Sequence, residues 1–151
     1  MTLEDSLIKL QRIIMGAWNK QAEENKGNSL SYSEFEYLLC VYQAEHPELD
    51  PELAEHDDST HLSVLAAEMQ VQKSSASIMI NKLEKRELIY RVTCRYDARA
   101  QHILLTEKGR ELFMQTQDSV YQSLAKTVKE KLAPQEYERL ERLLSKITTS
   151  A

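Results

Sequence analysis

Residues 62–111, LSVLAAEMQVQKSSASIMINKLEKRELIYRVTCRYDARAQHILLTEKGRE, change their hydrophobic period several times within fifty positions. A helical period runs to Met69, breaks at Val71-Gln72, and resumes over 73–86 with Ala76, Met79, Ile80 and Leu83 on one face. Period-two alternation takes over at 89–94 and again at 102–105, on either side of a polar tip at 95–101. From Thr106 the period is helical again. Helix, tight turn, helix, strand, tip, strand and helix, in that order, specify a helix-turn-helix followed by a β-hairpin wing. Leu62 is expected in a short strand, with Ser63 capping the first of these helices.

Only three glycines and three prolines interrupt the chain, so the remainder is expected as long helices. Leu3, Leu7, Leu10, Ile14 and Ala17 recur at helical spacing, broadened by Ile13 and Trp18, which predicts an amphipathic helix over 3–24. Ser31 and Glu34 have capping-box spacing, and Phe35, Leu38, Leu39 and Tyr42 form the apolar face of a helix that Pro47 ends. A long helix through Leu112, Phe113, Val120, Leu124, Val128 and Leu132 reaches Ala133. Pro134 then opens a last helix with Tyr137, Leu140, Leu143, Leu144 and Ile147 on one side.

The expected fold is therefore mainly α (α+β), a single domain over 1–151. A winged helix-turn-helix occupies 31–106, and 1–30 with 107–151 form a dimerisation part. The first and last helices carry more apolar surface than one such chain has layers to cover, so a two-fold homodimer is expected.

A net charge of −5 taken alone speaks against a polyanionic partner. Its distribution speaks for one. Between positions 73 and 99 stand Lys73, Lys82, Lys85, Arg86, Arg91, Arg95 and Arg99 against Glu84, Glu87 and Asp97, a net of +4 that leaves −9 for the rest. Seven carboxylates fall in 45–61, which has no Lys or Arg. No apolar run approaches the ~18 residues of a membrane span, and the acidic, amphipathic start MTLEDSLIKL is unlike a signal peptide. Two cysteines set no disulfide framework, and a cytoplasmic protein is expected. With no glycine loop to cradle phosphate and no Ser or Cys grouped with His and acid, an enzyme is not expected.

A helix that enters a DNA major groove buries one face and offers the other to base edges and phosphates. Over 73–86 the outward face holds Lys73, Ser74, Ser75, Ser77, Ile78, Asn81 and Lys82. Its small hydroxyl side chains permit close approach and either donate or accept. At the wing tip stand Arg95, Asp97 and Arg99. Asp97-Ala98-Arg99 lies eight residues before Leu105-Thr106-Glu107-Lys108-Gly109 and follows KLEKRELIYR. This pattern closely resembles the MarR/SlyA family of winged-helix transcription regulators. The likeness extends to LSVLAAEM, the serine-rich helix and the terminal APQEYERLERLL.

The resemblance implies a sequence-specific DNA-binding regulator, dimeric on a two-fold stretch of double-stranded DNA and acting as a ligand-responsive repressor. It implies that Lys73, Ser74, Ser75 and Ser77 meet major-groove bases and phosphates. Arg99 would enter the minor groove, with Asp97 orienting it. A narrow minor groove concentrates negative potential and attracts a guanidinium. The resemblance also implies a small aromatic or phenolic effector, for which Trp18, Tyr32, Tyr37 and Tyr42 are candidate contacts, although aromatics at helical spacing are more often core. A different-class alternative is a winged-helix module that docks another protein through acidic residues 45–61.

The chain departs from the family pattern in places. Ile78 stands where relatives commonly carry a base-reading arginine, and Gln70 and Glu87 occupy turn positions where glycine is usual. A left-handed conformation at either costs on the order of 1 kcal/mol. His46, His56, Asp57, Asp58 and His61 supply metal-ligating side chains, but their irregular spacing in a polar segment does not suit fixed tetrahedral geometry, and no metal or cofactor is expected. Cys94 lies near Arg91 and Arg95, which favour a thiolate, yet no resolving cysteine is in view and a spectator thiol is expected. Cys40, among Leu38, Leu39 and Val41, is expected to pack as a small hydrophobe.

Overall fold

The computed structural model describes residues 1–45 and 58–149, which divide into two compact units: 25–116, and 1–24 with the segment from 117 onward. In chain order the elements are α1 (Leu3–Glu24), α2 (Tyr32–Ala44), α3 (Leu62–Glu68), α4 (Lys73–Lys85), β1 (Ile89–Thr93), β2 (Gln101–Leu105), α5 (Glu107–Gln117), a π-helical turn (Asp118–Gln122), α6 (Ser123–Lys131) and α7 (Pro134–Thr148). Among the described residues no helix is long and apolar enough to cross a membrane.

Local chemistry sets the element ends. Ser31 caps α2 as expected: its hydroxyl accepts from the Glu34 N–H at 3.1 Å, and Glu34 Oε1 accepts from the Ser31 N–H at 3.0 Å. Helix α3 ends through Gln70 and α4 through Glu87, each left-handed with φ of 57° and 60°. In both, the next N–H reaches back over the turn, Val71 to Ala66 O and Leu88 to Leu83 O, at 3.0 Å. With the inner bonds from the Gln70 N–H to Ala67 O and the Glu87 N–H to Glu84 O, each end is a Schellman motif made here by a residue with a Cβ. The turn therefore closes both helices at a backbone cost glycine would avoid.

Position 62 differs from expectation. Leu62 is the first residue of α3, and the extended residue is His61, which forms an isolated antiparallel bridge to His102. The Ile103 N–H donates to Thr60 O at 2.9 Å, so β2 itself recruits the chain one step earlier than side-chain alternation suggests. The wing pairs β1 with β2 in the register Ile89↔Leu105 to Thr93↔Gln101, and the Cys94 N–H to Ala100 O bond (2.9 Å) extends it by one step.

The core of the 25–116 unit gathers Leu38, Val41, Leu65, Ala76, Ile80, Leu83, Leu88, Ile103 and Phe113. Phe113 stacks on Phe35 (centroids 5.1 Å apart) and tilts against Tyr42 (5.0 Å). Burying a side chain of this size contributes about 1.5–3 kcal/mol. Met79, expected with the core face of α4, is only half-buried. Thr106 caps α5, its hydroxyl accepting from the Gly109 N–H at 2.9 Å while donating to Glu87 O at 2.6 Å.

The long helix expected to run unbroken from Thr106 to Ala133 is interrupted by the π-helical turn. An extra residue in one turn rotates the phase of the helix beyond it by about 100°. Leu112, Phe113 and Thr116 before it are buried in one unit, and Val120 inside it is buried in the other. In the second unit Trp18 is buried with its ring edge-on to Tyr121, centroids 6.1 Å apart. Pro134 opens α7, where Glu136 Oε1 accepts from the Ala133 N–H at 2.9 Å.

Candidate nucleic-acid interface

Helix α4 buries Ala76, Ile80 and Leu83 and leaves Lys73, Ser74, Ser75, Ile78, Asn81 and Lys82 exposed, with Ser77 half-exposed. Ile78 is the one large apolar side chain on this face, at 72% exposure. Beside it lies a shallow depression of about 480 Å³ lined by Ile78, Asn81, Lys82, Lys85 and Arg86. Three of those five side chains are cationic, so the depression presents a positive rim with an apolar wall.

The helix is held from two sides by arginines that sequence reasoning did not single out. Arg86 donates to Glu34 Oε2 and, through Nη2, to Ser29 O at 2.9 Å. Glu34 is almost fully buried. Burial alone would raise its carboxyl, but the Ser31 N–H, the Arg86 guanidinium and the Ser31 hydroxyl together hold it below the usual glutamate range. Lys82 Nζ is 4.0 Å from the same carboxylate. Arg91, on β1, donates to Asn81 Oδ1 and to Gln101 Oε1 (3.3 Å), and its Nε lies 3.4 Å from Glu84 Oε2. Asn81 is thus exposed, as expected, but tied to the wing base. A strand register was needed to see this, since helix periodicity does not show what Arg91 faces.

At the wing tip Arg95, Asp97 and Arg99 are all exposed. Asp97 Oδ1 accepts from the Arg99 N–H at 3.0 Å and lies 3.7 Å from Arg99 Nε, while the Arg99 side chain is 95% exposed. The acid therefore folds the tip and leaves the guanidinium in solvent, where a charge pair of this kind contributes little to stability.

Residues 45–61 carry seven carboxylates and no Lys or Arg of their own, yet Glu45 and residues 59–61 at the described ends are tied into the fold. Glu45 Oε1 accepts from the Leu105 N–H at 2.9 Å, and Oε2 accepts from Arg110, whose guanidinium also sits 5.6 Å from the centre of the Tyr42 ring. Ser59 Oγ donates to Ala44 O at 2.9 Å, and Thr60 and His61 are buried. A backbone N–H left open at the end of β2 draws in the carboxylate, which composition cannot reveal. His46, His56 and Asp57 lie outside the described residues.

Of the candidate effector contacts, Tyr37 is buried, Tyr42 is occupied by Phe113 and Arg110, Trp18 packs on Tyr121 and Tyr32 is exposed. Cys40 is half-buried, and burial together with Glu68 and Glu36 pushes its thiol up, consistent with a packing role.

Residues 30–100 match the family model described as the MarR family. Over nearly its whole length the chain is similar to solved structures of that fold. Wild-type MarR from E. coli, in its apo form, aligns with a TM-score of 0.69 at 17% identity, covering 99% of this chain and 98% of that one. The S. aureus MepR–DNA complex aligns with a TM-score of 0.67 at 19% identity, covering 97% and 96%. A MarR-family transcriptional regulator from a Rhodococcus species aligns with a TM-score of 0.63 at 20% identity, covering 97% and 95%. No curated protein sequence matches.

Proposed function

We infer that this chain, whose residues 30–100 belong to the MarR family of non-enzymatic, DNA-binding transcription regulators, works as a homodimeric, ligand-responsive repressor that reads a two-fold operator. The observation that carries this reading is the placement, in one compact unit, of an exposed Lys/Ser face on α4 and an exposed guanidinium at the wing tip. Lys73, Ser74, Ser75, Ser77 and Lys82 address the major groove and its flanking phosphates, and Arg99 enters the adjacent minor groove with Arg95 against the backbone. Asn81 and Asp97 act at one remove: Asn81 locks α4 to Arg91, and Asp97 shapes the tip that carries Arg99. Ile78 offers van der Waals contact, suited to a thymine methyl. The related MepR structure is itself a DNA complex, which supports this mode of docking.

Two-fold pairing is supported by the apolar side chains that α1 and α7 leave exposed, among them Leu3, Leu7, Ile8, Ile13, Leu143 and Ile147. A stripe of that size on a single copy is an association surface. Dimerisation would present two winged helices to two half-sites, and a small aromatic or phenolic effector acting on the dimer would release the DNA. The protein would act in the cytoplasm, where that DNA lies.

The test is titration of purified protein against the DNA upstream of its own reading frame and against scrambled duplexes, at several salt concentrations. Tight, salt-dependent binding that prefers the upstream duplex is expected. Equal affinity for every duplex would overturn the sequence-specific reading.

A further inference from the structure

His61 closes the chain's approach to α3, Cys94 directly follows β1, and His102 lies on β2 directly across the isolated bridge from His61. One ligating atom from each lies within 4.8 Å of the other two. His61 and Cys94 are buried and His102 is half-exposed, so the group has a dry floor and one open side. The two rings are tilted by 60° with centroids 4.4 Å apart, and their Nε2 atoms are 3.3 Å apart. Two nitrogens bound to one tetrahedral zinc ion at about 2.05 Å also lie about 3.3 Å apart.

The outer ring nitrogen of His102 is hydrogen-bonded as a metal site requires, and that of His61 faces a carboxylate. His102 Nδ1 is 2.6 Å from Thr60 Oγ1, and His61 Nδ1 is 3.7 Å from Asp58 Oδ1. With the ring protons on Nδ1, donated to the hydroxyl and directed at the carboxylate, both Nε2 lone pairs point into the same space. Outer-shell hydroxyl and carboxylate partners of this kind orient ligating imidazoles and raise their basicity.

We propose that His61, Cys94 and His102 form a binding site for a zinc ion, closed by a thiolate and two imidazoles with the fourth position open to water. Imidazole and thiolate favour zinc over magnesium or calcium, which take oxygen ligands. On binding, the Cys94 thiol loses its proton to solvent and the sulfur joins the ion. Cys94 and His102 are the two feet of the wing, with Asp97 and Arg99 between them. The ion therefore ties both strands of the wing to the start of the helix-turn-helix. That link deepens the regulatory reading above and depends on it: fixing the wing raises operator affinity by removing part of the ordering cost of docking. Zinc binding itself needs no DNA.

Cobalt(II) is the probe for the site. The metal-free full chain, titrated with Co²⁺, is expected to take up one ion per chain with the intense visible bands of tetrahedral cobalt and a near-ultraviolet thiolate-to-cobalt band. Both signals should be lost when Zn²⁺ is added. Cys94→Ser should abolish the thiolate band and His102→Gln should weaken binding, while Cys40→Ser leaves the spectrum intact. Weak octahedral bands without a thiolate signal, or a thiolate signal that follows Cys40, would overturn the site. If Cys94→Ser does not fold, the wild-type melting curve decides: zinc at micromolar concentration must raise the midpoint, and no rise rejects the proposal. In a separate arm, zinc should tighten operator binding of the wild type and not of His102→Gln. Metal binding with no change in operator affinity would overturn the wing-fixing consequence alone. A chain that binds cobalt but no DNA would count against the regulatory reading and leave the site standing.

Discussion

A Cβ atom added to Gly109 would stand 1.9 Å from the carbonyl oxygen of Leu88. The first turn of α5 lies directly on the backbone that leads from α4 into the wing. The Thr106 N–H donates to that same Leu88 oxygen at 3.1 Å, and Lys108 Nζ donates to Arg86 O at 3.2 Å. Glycine is required here by contact with backbone, which cannot swing aside as a side chain would. Gly109→Ala should therefore cost about 3 kcal/mol, the upper part of the range for overpacking. Urea unfolding at constant slope measures it, and a loss under about 1 kcal/mol would show that the contact relaxes.

The left-handed residues Gln70 and Glu87 make the opposite prediction. Each adopts a conformation that disfavours a Cβ, and the side chain of each is exposed or half-exposed. Gln70→Gly and Glu87→Gly should each raise stability by roughly 0.5–1 kcal/mol. The two turns flank opposite ends of α4, so the gains should add in the double variant. A fall in thermal midpoint for either would mean that the side chain contributes more than its backbone costs.

Glu34 should make the fold acid-sensitive. Its carboxyl is held below the ordinary value of 4.5 in the folded chain, so its contribution is fully present above that value. The contribution is lost as pH falls through the lower, folded-state pKa. Stability of the wild type should drop over that acidic window more steeply than that of Glu34→Gln. Arg86→Met, which strands a buried carboxylate but opens at a partly exposed partner, should cost about 2–3 kcal/mol near neutrality, somewhat less than for a fully buried pair. Parallel pH–stability curves for wild type and Glu34→Gln would refute the assignment.

The two DNA-contacting elements should separate by mutation. Arg99→Ala removes a solvent-exposed cation and leaves the fold untouched, so affinity should fall by roughly 1–3 kcal/mol and the salt slope by about one per lost contact. Discrimination should weaken mainly at flanking A·T-rich positions. Ser75→Ala should alter base preference with little change in slope. Unchanged affinity and slope for Arg99→Ala would place the wing off the DNA.

Pairing through α1 and α7 is tested by charge. Leu7→Lys with Ile147→Glu replaces two exposed apolar side chains without touching the 25–116 unit. Sedimentation should show the wild type as a dimer and the double variant as a monomer. A wild type that sediments as a monomer at micromolar concentration would rule out the two-fold model.

Much of this protein is local and therefore legible along the chain. Hydrophobic period marks α1, α2, α4, β1, β2 and α7. Ser31 and Glu34 specify their own cap, and the LTEKG stretch marks the turn into α5. A helix or strand is chosen by neighbours within a few positions, and those neighbours are adjacent in the sequence. The interrupted helix at 118–122 was not legible, because the apolar residues on either side of it serve two different units. Nor was the bond from Glu45 to the end of β2, which satisfies a backbone N–H sixty residues away. His61 and His102 show the same limit. They are separated by the whole helix-turn-helix and β1, and of the two only His102, eight residues past Cys94, is near the thiol in sequence. Only the pairing of β2 with the residues before α3 brings two imidazoles and a thiol together, because side-chain convergence over that distance is set by strand register and core packing and by no local preference.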